Sequence, residues 1–191
     1  PHALVPFLQE SVAVKLGPVI WLGPEDDKVS QAKYSGVKYT NQLKKFVPVV
    51  DQWVADYVLG VETDEYWSEH ELHTIGSALR KLTKRPIWCH FSTGNHGSFK
   101  TFWPKAKQWA KPGGLSFQFP KRDMKKPGFL AHPDDVRDWT RALAPKMKAL
   151  GLSLAIGETA FERPEHKAIA LGDIGLANGA SAAMNGCSGI S

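Results

Sequence analysis

A chain of 191 residues with 42% hydrophobic and 23% charged side chains has the make-up of one globular domain, and wholesale disorder is excluded. No run approaches the roughly 20 apolar residues of a bilayer-spanning helix, which excludes such a span. The net charge is +5, and the two cysteines, Cys89 and Cys187, are too few and too far apart for a disulfide scaffold; they read as small buried apolar groups.

In chain order, residues 2–16 are expected to form a leading helix and residues 19–23 the first strand. A helix follows over about 41–54, then a strand over 57–63. Ser68 and Glu71 make a capping box for a helix that keeps Leu72, Ile75, Leu79 and Leu82 on one face. Residues 86–92 and 113–119 read as the next two strands. Pro133, with Asp134 and Asp135, opens a helix lined by Val136, Trp139, Leu143, Met147 and Leu150 and stopped at Gly151. A strand over 152–158, a helix over about 165–178 and a last strand over 180–186 complete the series. Pro48 and Pro145 fall inside helical patterns and are expected to kink or divide them.

The six strand starts are 38, 29, 27, 39 and 28 residues apart, the length of a strand–helix–strand crossover. Such alternation implies a parallel sheet covered on both faces. Neither a Gly-x-Gly-x-x-Gly nor a phosphate-loop motif follows a strand, so the open nucleotide-binding sheet lacks its signatures. The fold class expected is α/β, a TIM-barrel type (β/α)8 architecture. It is incomplete, with about six βα units, because a full barrel takes about 250 residues. Residues 1–191 are read as a single domain, truncated at both ends, with its first strands missing; Pro1 in place of Met suits a processed or excised segment.

In a parallel barrel the chemistry gathers where strands end. Here those ends carry Glu62, His90, Gln118, Glu158 and Asn185, one from each of five strands. Alternation places Val58, Gly60 and Glu62 on one face, and Leu154, Ile156 and Glu158 on one face. If those faces are the interior, the five polar groups ring the mouth. Two facing glutamates are what glycosidic cleavage needs: one donates a proton to the leaving oxygen, the other attacks the sugar carbon or activates water. Trp21, Tyr66, Trp67 and Phe161 would supply flat apolar faces for sugar rings. Catalysis is therefore placed on Glu62 and Glu158, and substrate binding on Trp21, Asp64, Tyr66, Trp67, His90, Gln118 and Asn185. A solvated or loop-structuring role is the simpler reading of Asp64 and Glu65. No metal or other cofactor is called for: His70 and His73 stand three apart rather than bracketing a His-Glu-x-x-His, and His90 and His96 lack a third ligand at characteristic spacing.

Charge is unevenly spread. Residues 51–73 hold seven acids and no Lys or Arg, whereas residues 100–126 hold eight bases and one acid. Bases interleaved with Trp103, Trp109, Phe117 and Phe119 suit a single nucleic-acid strand, but no recognisable binding module surrounds them. A solvated connection is the default reading of that tract.

The segments Gly60-Val61-Glu62-Thr63-Asp64-Glu65-Tyr66-Trp67-Ser68, Pro86–Ser92, Gly114–Gln118 and Gly172–Gly186 resemble tailed-phage proteins with a glycoside-hydrolase-like (β/α)8 TIM-barrel domain. They also resemble, more distantly, the retaining barrel glycosidases, in which the acid/base ends the fourth strand and the nucleophile the seventh. The resemblance implies Glu62 as acid/base and Glu158 as nucleophile, although Thr63 follows Glu62 and no Asn precedes it. It implies a virion or extracellular setting and a bacterial envelope or capsular polysaccharide as substrate. Partners would be other virion proteins or the rest of a larger polypeptide. The rival expectation is a catalytically inactive virion or tail module that holds an assembly together or binds glycan.

Overall fold

The computed structural model describes residues 2–23, 36–60, 63–92, 98–119, 129–157, 160–161 and 165–183, without the side chains of 37, 65–66, 98–99, 129–130, 160–161 and 165–168. Six parallel strands alternate with helices: β1 (Val19–Leu22), β2 (Asp56–Leu59), β3 (Ile87–Phe91), β4 (Gly113–Phe117), β6 (Ser153–Ile156) and β8 (Ala182–Ala183) pair in that order. Each runs in register beside its neighbour, as in Val58 opposite Trp88 and His90 opposite Ser116. The expected six-unit incomplete barrel is what the chain forms. The helices are α1 (Val5–Ala13), α2 (Gly36–Val50), α3 (Thr63–Tyr66), α4 (Glu69–Arg80), α5 (Ser98–Thr101), α6 (Trp103–Ala110), α7 (Pro133–Ala149) and α8 (Glu165–Ala177).

The local signals act as their chemistry dictates. The Ser68 hydroxyl accepts from the Glu71 amide at 3.3 Å, and the Glu71 carboxylate accepts from the Ser68 amide at 3.0 Å, so α4 begins with two of its orphan amide donors satisfied. Gly151, at φ +71°, turns the chain off the end of α7. Pro48 and Pro145, expected to kink or divide their helices, do not divide them: α2 and α7 run through them. Both prolines are exposed, as are Lys44 and Arg141 four residues before them. Water can therefore bond the carbonyls that the prolines leave free.

The sheet has two differently furnished faces. Tyr57, Leu59, Ile87, Cys89, Phe91, Leu115, Phe117, Leu154 and Ile156 point to the helices and form the main core with Leu72, Ile75, Leu79, Val136, Leu143 and Met147. Val58, Trp88 and Ala155 form a separate small cluster on the other face, the barrel interior. This corrects one expectation. Leu154 and Ile156 lie on the helix side, where Gly175 of α8 comes down on Ile156; Ser153, Ala155 and Gly157 carry the interior parity of that strand.

The basic tract is also corrected. Its first part is helix α6, whose Trp103, Ala106, Trp109 and Ala110 are buried between α4, β3 and β4, so it is no solvated connection. With Trp103, Trp109, Phe117 and Phe119 all buried, the aromatic platforms for a nucleic-acid strand are spent on the core. An unforeseen element sits among the loops that follow the strands: β5 (Phe129–Leu130) pairs antiparallel with β7 (Ala160–Phe161), tying the segment after β4 to the segment after β6.

Candidate functional site

The interior face is polar at one level and apolar below it. At the floor Trp88 donates its indole N–H to Asp56 at 3.1 Å. Burial raises the Asp56 carboxyl above its ordinary range, opposed by that bond and by Arg85. One pleat toward the strand ends, His90 and Ser116 face each other across β3 and β4, His90 Nδ1 lying 3.0 Å from Ser116 Oγ. Both are fully buried, and burial holds His90 at a pKa of about 4, so the ring is neutral at neutral pH. Its other nitrogen, Nε2, is buried with no hydrogen-bond partner among the described residues.

The neighbours of this pair are set by the curl of the sheet. Trp21 reaches over from β1 until its ring lies 5.1 Å from that of His90, tilted by 55°. Trp21 is 40% exposed and Val19 39%, while Val58, Trp88 and Ala155 on the same face of the inner strands are at most 4% exposed. The interior is therefore open at the β1 edge. From the opposite side Gly157 closes on the pair: a Cβ there would stand 2.6 Å from His90 Cε1 and 2.7 Å from Ser116 Oγ. Thr63, buried at the start of α3, donates its hydroxyl to the His90 carbonyl at 3.1 Å and fixes the start of α3 to β3.

Of the residues proposed for substrate, the structure brings Trp21 and His90 together. Gln118 lies just past β4, buried, with its backbone amide donating to the Phe91 carbonyl at 2.9 Å. Asp64 serves loop structure: its carboxylate accepts from the Ser92 amide at 2.7 Å and from the Ser92 hydroxyl at 2.9 Å, tying α3 to the end of β3. Trp67 is buried in the main core, 5.4 Å from the Tyr39 ring, and borders a cavity of about 170 Å³ with Asp64, Leu72, Phe91 and Phe102. Its faces are used in packing, so it offers no open platform for a sugar. Tyr66 ends α3, and its side chain lies outside the described residues. Glu62, Glu158 and Asn185 lie outside them too.

Residues that composition and spacing did not single out are Ser116, Gly157 and Thr63. The first had a signal: Ser116 shares strand parity with Gln118, and in-register pairing puts it beside His90. His73 is half-buried; its ring stacks on Phe102 at 4.8 Å and its Nδ1 accepts from the Trp109 indole at 3.1 Å. Among the described residues no group of three or more His, Cys, Asp or Glu is placed to hold a metal ion, and no helix is long and apolar enough to cross a membrane.

The six parallel strands and their helices define an incomplete TIM-barrel. The chain is similar in structure to the GH113 β-mannanase AaManA from Alicyclobacillus acidocaldarius, solved in complex with ManMIm. That overlay has a TM-score of 0.62 at 11% identity and covers 96% of this chain and 66% of that one. It is similar also to XacCel5A, with a TM-score of 0.63 at 13% identity over 100% of this chain and 70% of that one. The chain thus spans about two thirds of the length of these neighbours. The sequence matches no family model and no curated protein.

Proposed function

We propose that this chain is the barrel of a glycoside hydrolase that cleaves a bacterial envelope or capsular polysaccharide, with Glu62 as general acid/base and Glu158 as nucleophile. The observation that carries the reading is the interior of the barrel. A buried, neutral His90 with a nitrogen unpartnered among the described residues and an exposed Trp21 beside it lie on the face that β2, with Glu62 beyond its end in sequence, shares. One of the structural neighbours described above is a GH113 β-mannanase, which supports the reaction class. The chemistry asks for two carboxylates on one glycosidic bond, about 5–5.5 Å apart for a covalent, retaining course. Trp21 would carry a sugar face and His90, Gln118, Tyr66 and Asn185 its hydroxyls. No cofactor takes part. Following the resemblance, the setting is a virion or the cell exterior.

Release of reducing ends from purified envelope polysaccharide tests this. Glu62→Gln and Glu158→Gln are each expected to lower kcat by at least about a hundredfold. Unchanged rates in both variants, or no release by the wild type, would overturn it.

A second reading, an inactive virion or tail module, is favoured by one observation. The β1 edge has no strand partner among the described residues and exposes Val19 and Trp21, and Trp21 also lines a groove of about 370 Å³ with Ile20, Leu22, Tyr39, Leu43 and Phe46. An assembly partner would cover such an edge.

A further inference from the structure

We propose that Ser116 is a positioning residue that locks His90 in its Nε2–H tautomer, so that the ring presents a hydrogen-bond donor to the barrel interior for an acceptor oxygen of the bound glycan. The ligand in this statement rests on the glycan-cleaving reading; the tautomer does not.

The argument is a count of donors and acceptors in a dry site. Ser116 Oγ has one hydrogen-bond partner among the described residues, His90 Nδ1 at 3.0 Å, and both side chains are fully buried. If Nδ1 carried the proton, it would donate to Ser116 Oγ. The serine proton would then have no acceptor, and Nε2 would be a second unsatisfied site. If Nε2 carries the proton, the Ser116 hydroxyl donates to Nδ1 and the serine is satisfied, because an oxygen that donates once tolerates empty lone pairs. One orphan remains instead of two: the Nε2–H itself. A buried unpaired donor is costly, so the second arrangement is the lower in energy. It leaves a single N–H waiting for an oxygen.

The surroundings hold the ring in place for that use. Gly157 leaves no room beside Cε1 and the Ser116 hydroxyl, and the Thr63 hydroxyl anchors the His90 carbonyl at 3.1 Å. Trp21, whose ring lies 5.1 Å from that of His90, is 40% exposed, so the imidazole adjoins the open side of the interior. Because burial keeps the imidazole neutral at neutral pH, its role is to donate a hydrogen bond, and the protons of the reaction stay with the carboxylates. Among the described residues His73 likewise has a buried Nε2 without a partner, but its ring is stacked on Phe102 within the helix layer, whereas His90 stands on the interior face beside the exposed Trp21.

Long-range imidazole ¹⁵N–¹H correlation spectra of the 191-residue chain test the assignment. His90 is expected wholly as the Nε2–H form in the wild type and as a mixture of both tautomers in Ser116→Ala. On the envelope polysaccharide, kcat/KM of Ser116→Ala is expected to fall about tenfold. An Nδ1–H form in the wild type, or an unmoved tautomer in Ser116→Ala, overturns the assignment. The spectra report the tautomer whether or not the wild type cleaves polysaccharide, so failure of the hydrolase reading and failure of this one are read separately.

Discussion

The Trp21 and His90 rings lie 5.1 Å apart although β2 runs between the strands that carry them. Across a flat sheet those two strands would stand nearly 10 Å from each other, at about 4.8 Å per step. Contact between their side chains requires that both point to a concave face and that the sheet curl around it. β2 pairs only as far as Leu59, and the residue that follows is Gly60, which puts no side chain between the two rings. The site is thus a product of curvature as much as of residue type.

The same crowding makes Gly157 a sensitive position. In Gly157→Ala the new methyl would meet His90 Cε1 and the Phe117 carbonyl at 2.6 Å. A backbone oxygen of a central strand cannot retreat without loosening the ladder, so a loss of about 1–3 kcal/mol is expected. Urea denaturation midpoints measure it. A variant as stable as the wild type would show that this contact is not tight.

His90 also makes stability depend on acid. Its ordinary pKa of 6.5 is lowered to about 4 by burial. Above 6.5 the folded and unfolded chains are both neutral here, and this residue adds no pH dependence. Between 6.5 and 4 the unfolded chain binds a proton that the folded chain refuses, so stability falls as pH falls, by roughly 3 kcal/mol at pH 4. Below that both states are protonated and the loss stops. His73, also lowered chiefly by burial, acts in the same sense. His90→Gln is expected to lose less stability than the wild type between about pH 7 and pH 4.5 in denaturant titrations; equal losses would contradict the shift.

Gly76 tests packing against propensity. Alanine in place of a mid-helix glycine favours the helix by up to about 1 kcal/mol. Here the added Cβ would overlap the Trp109 indole. That ring is buried and held by its N–H bond to His73, while the Trp109 carbonyl accepts from Arg80 at 2.7 Å, so it has little freedom to yield. Overpacking of this kind costs about 1–3 kcal/mol, and the net effect of Gly76→Ala is expected to be destabilising by about 1–2 kcal/mol in thermal or chemical unfolding. A more stable variant would mean that α4 and α6 part easily.

Much of the architecture was legible in local signals. The capping box at Ser68, the proline start at Pro133 and the stop at Gly151 mark helix ends because they satisfy backbone groups within four residues. What misled was everything that depends on a neighbour. Trp67 and His73 look like surface residues beside acids, yet one fills the core with Tyr39 and the other stacks on Phe102. The prolines look like breaks, yet each stands on the wet side of its helix.

The sequence by itself determined a series of buried strands spaced one crossover apart, and hence a parallel (β/α) sheet. Repeat length and hydrophobic runs are local quantities, so one dimension suffices to read them. Only the tertiary structure decided which parity of each strand faces inward. A parallel sheet is apolar on both sides, so nothing in the run Leu154-Ala155-Ile156 tells the helix side from the interior. Curl and register settled it, and with it the meeting of Trp21, His90, Ser116 and Gly157, four residues scattered over 137 positions of the chain.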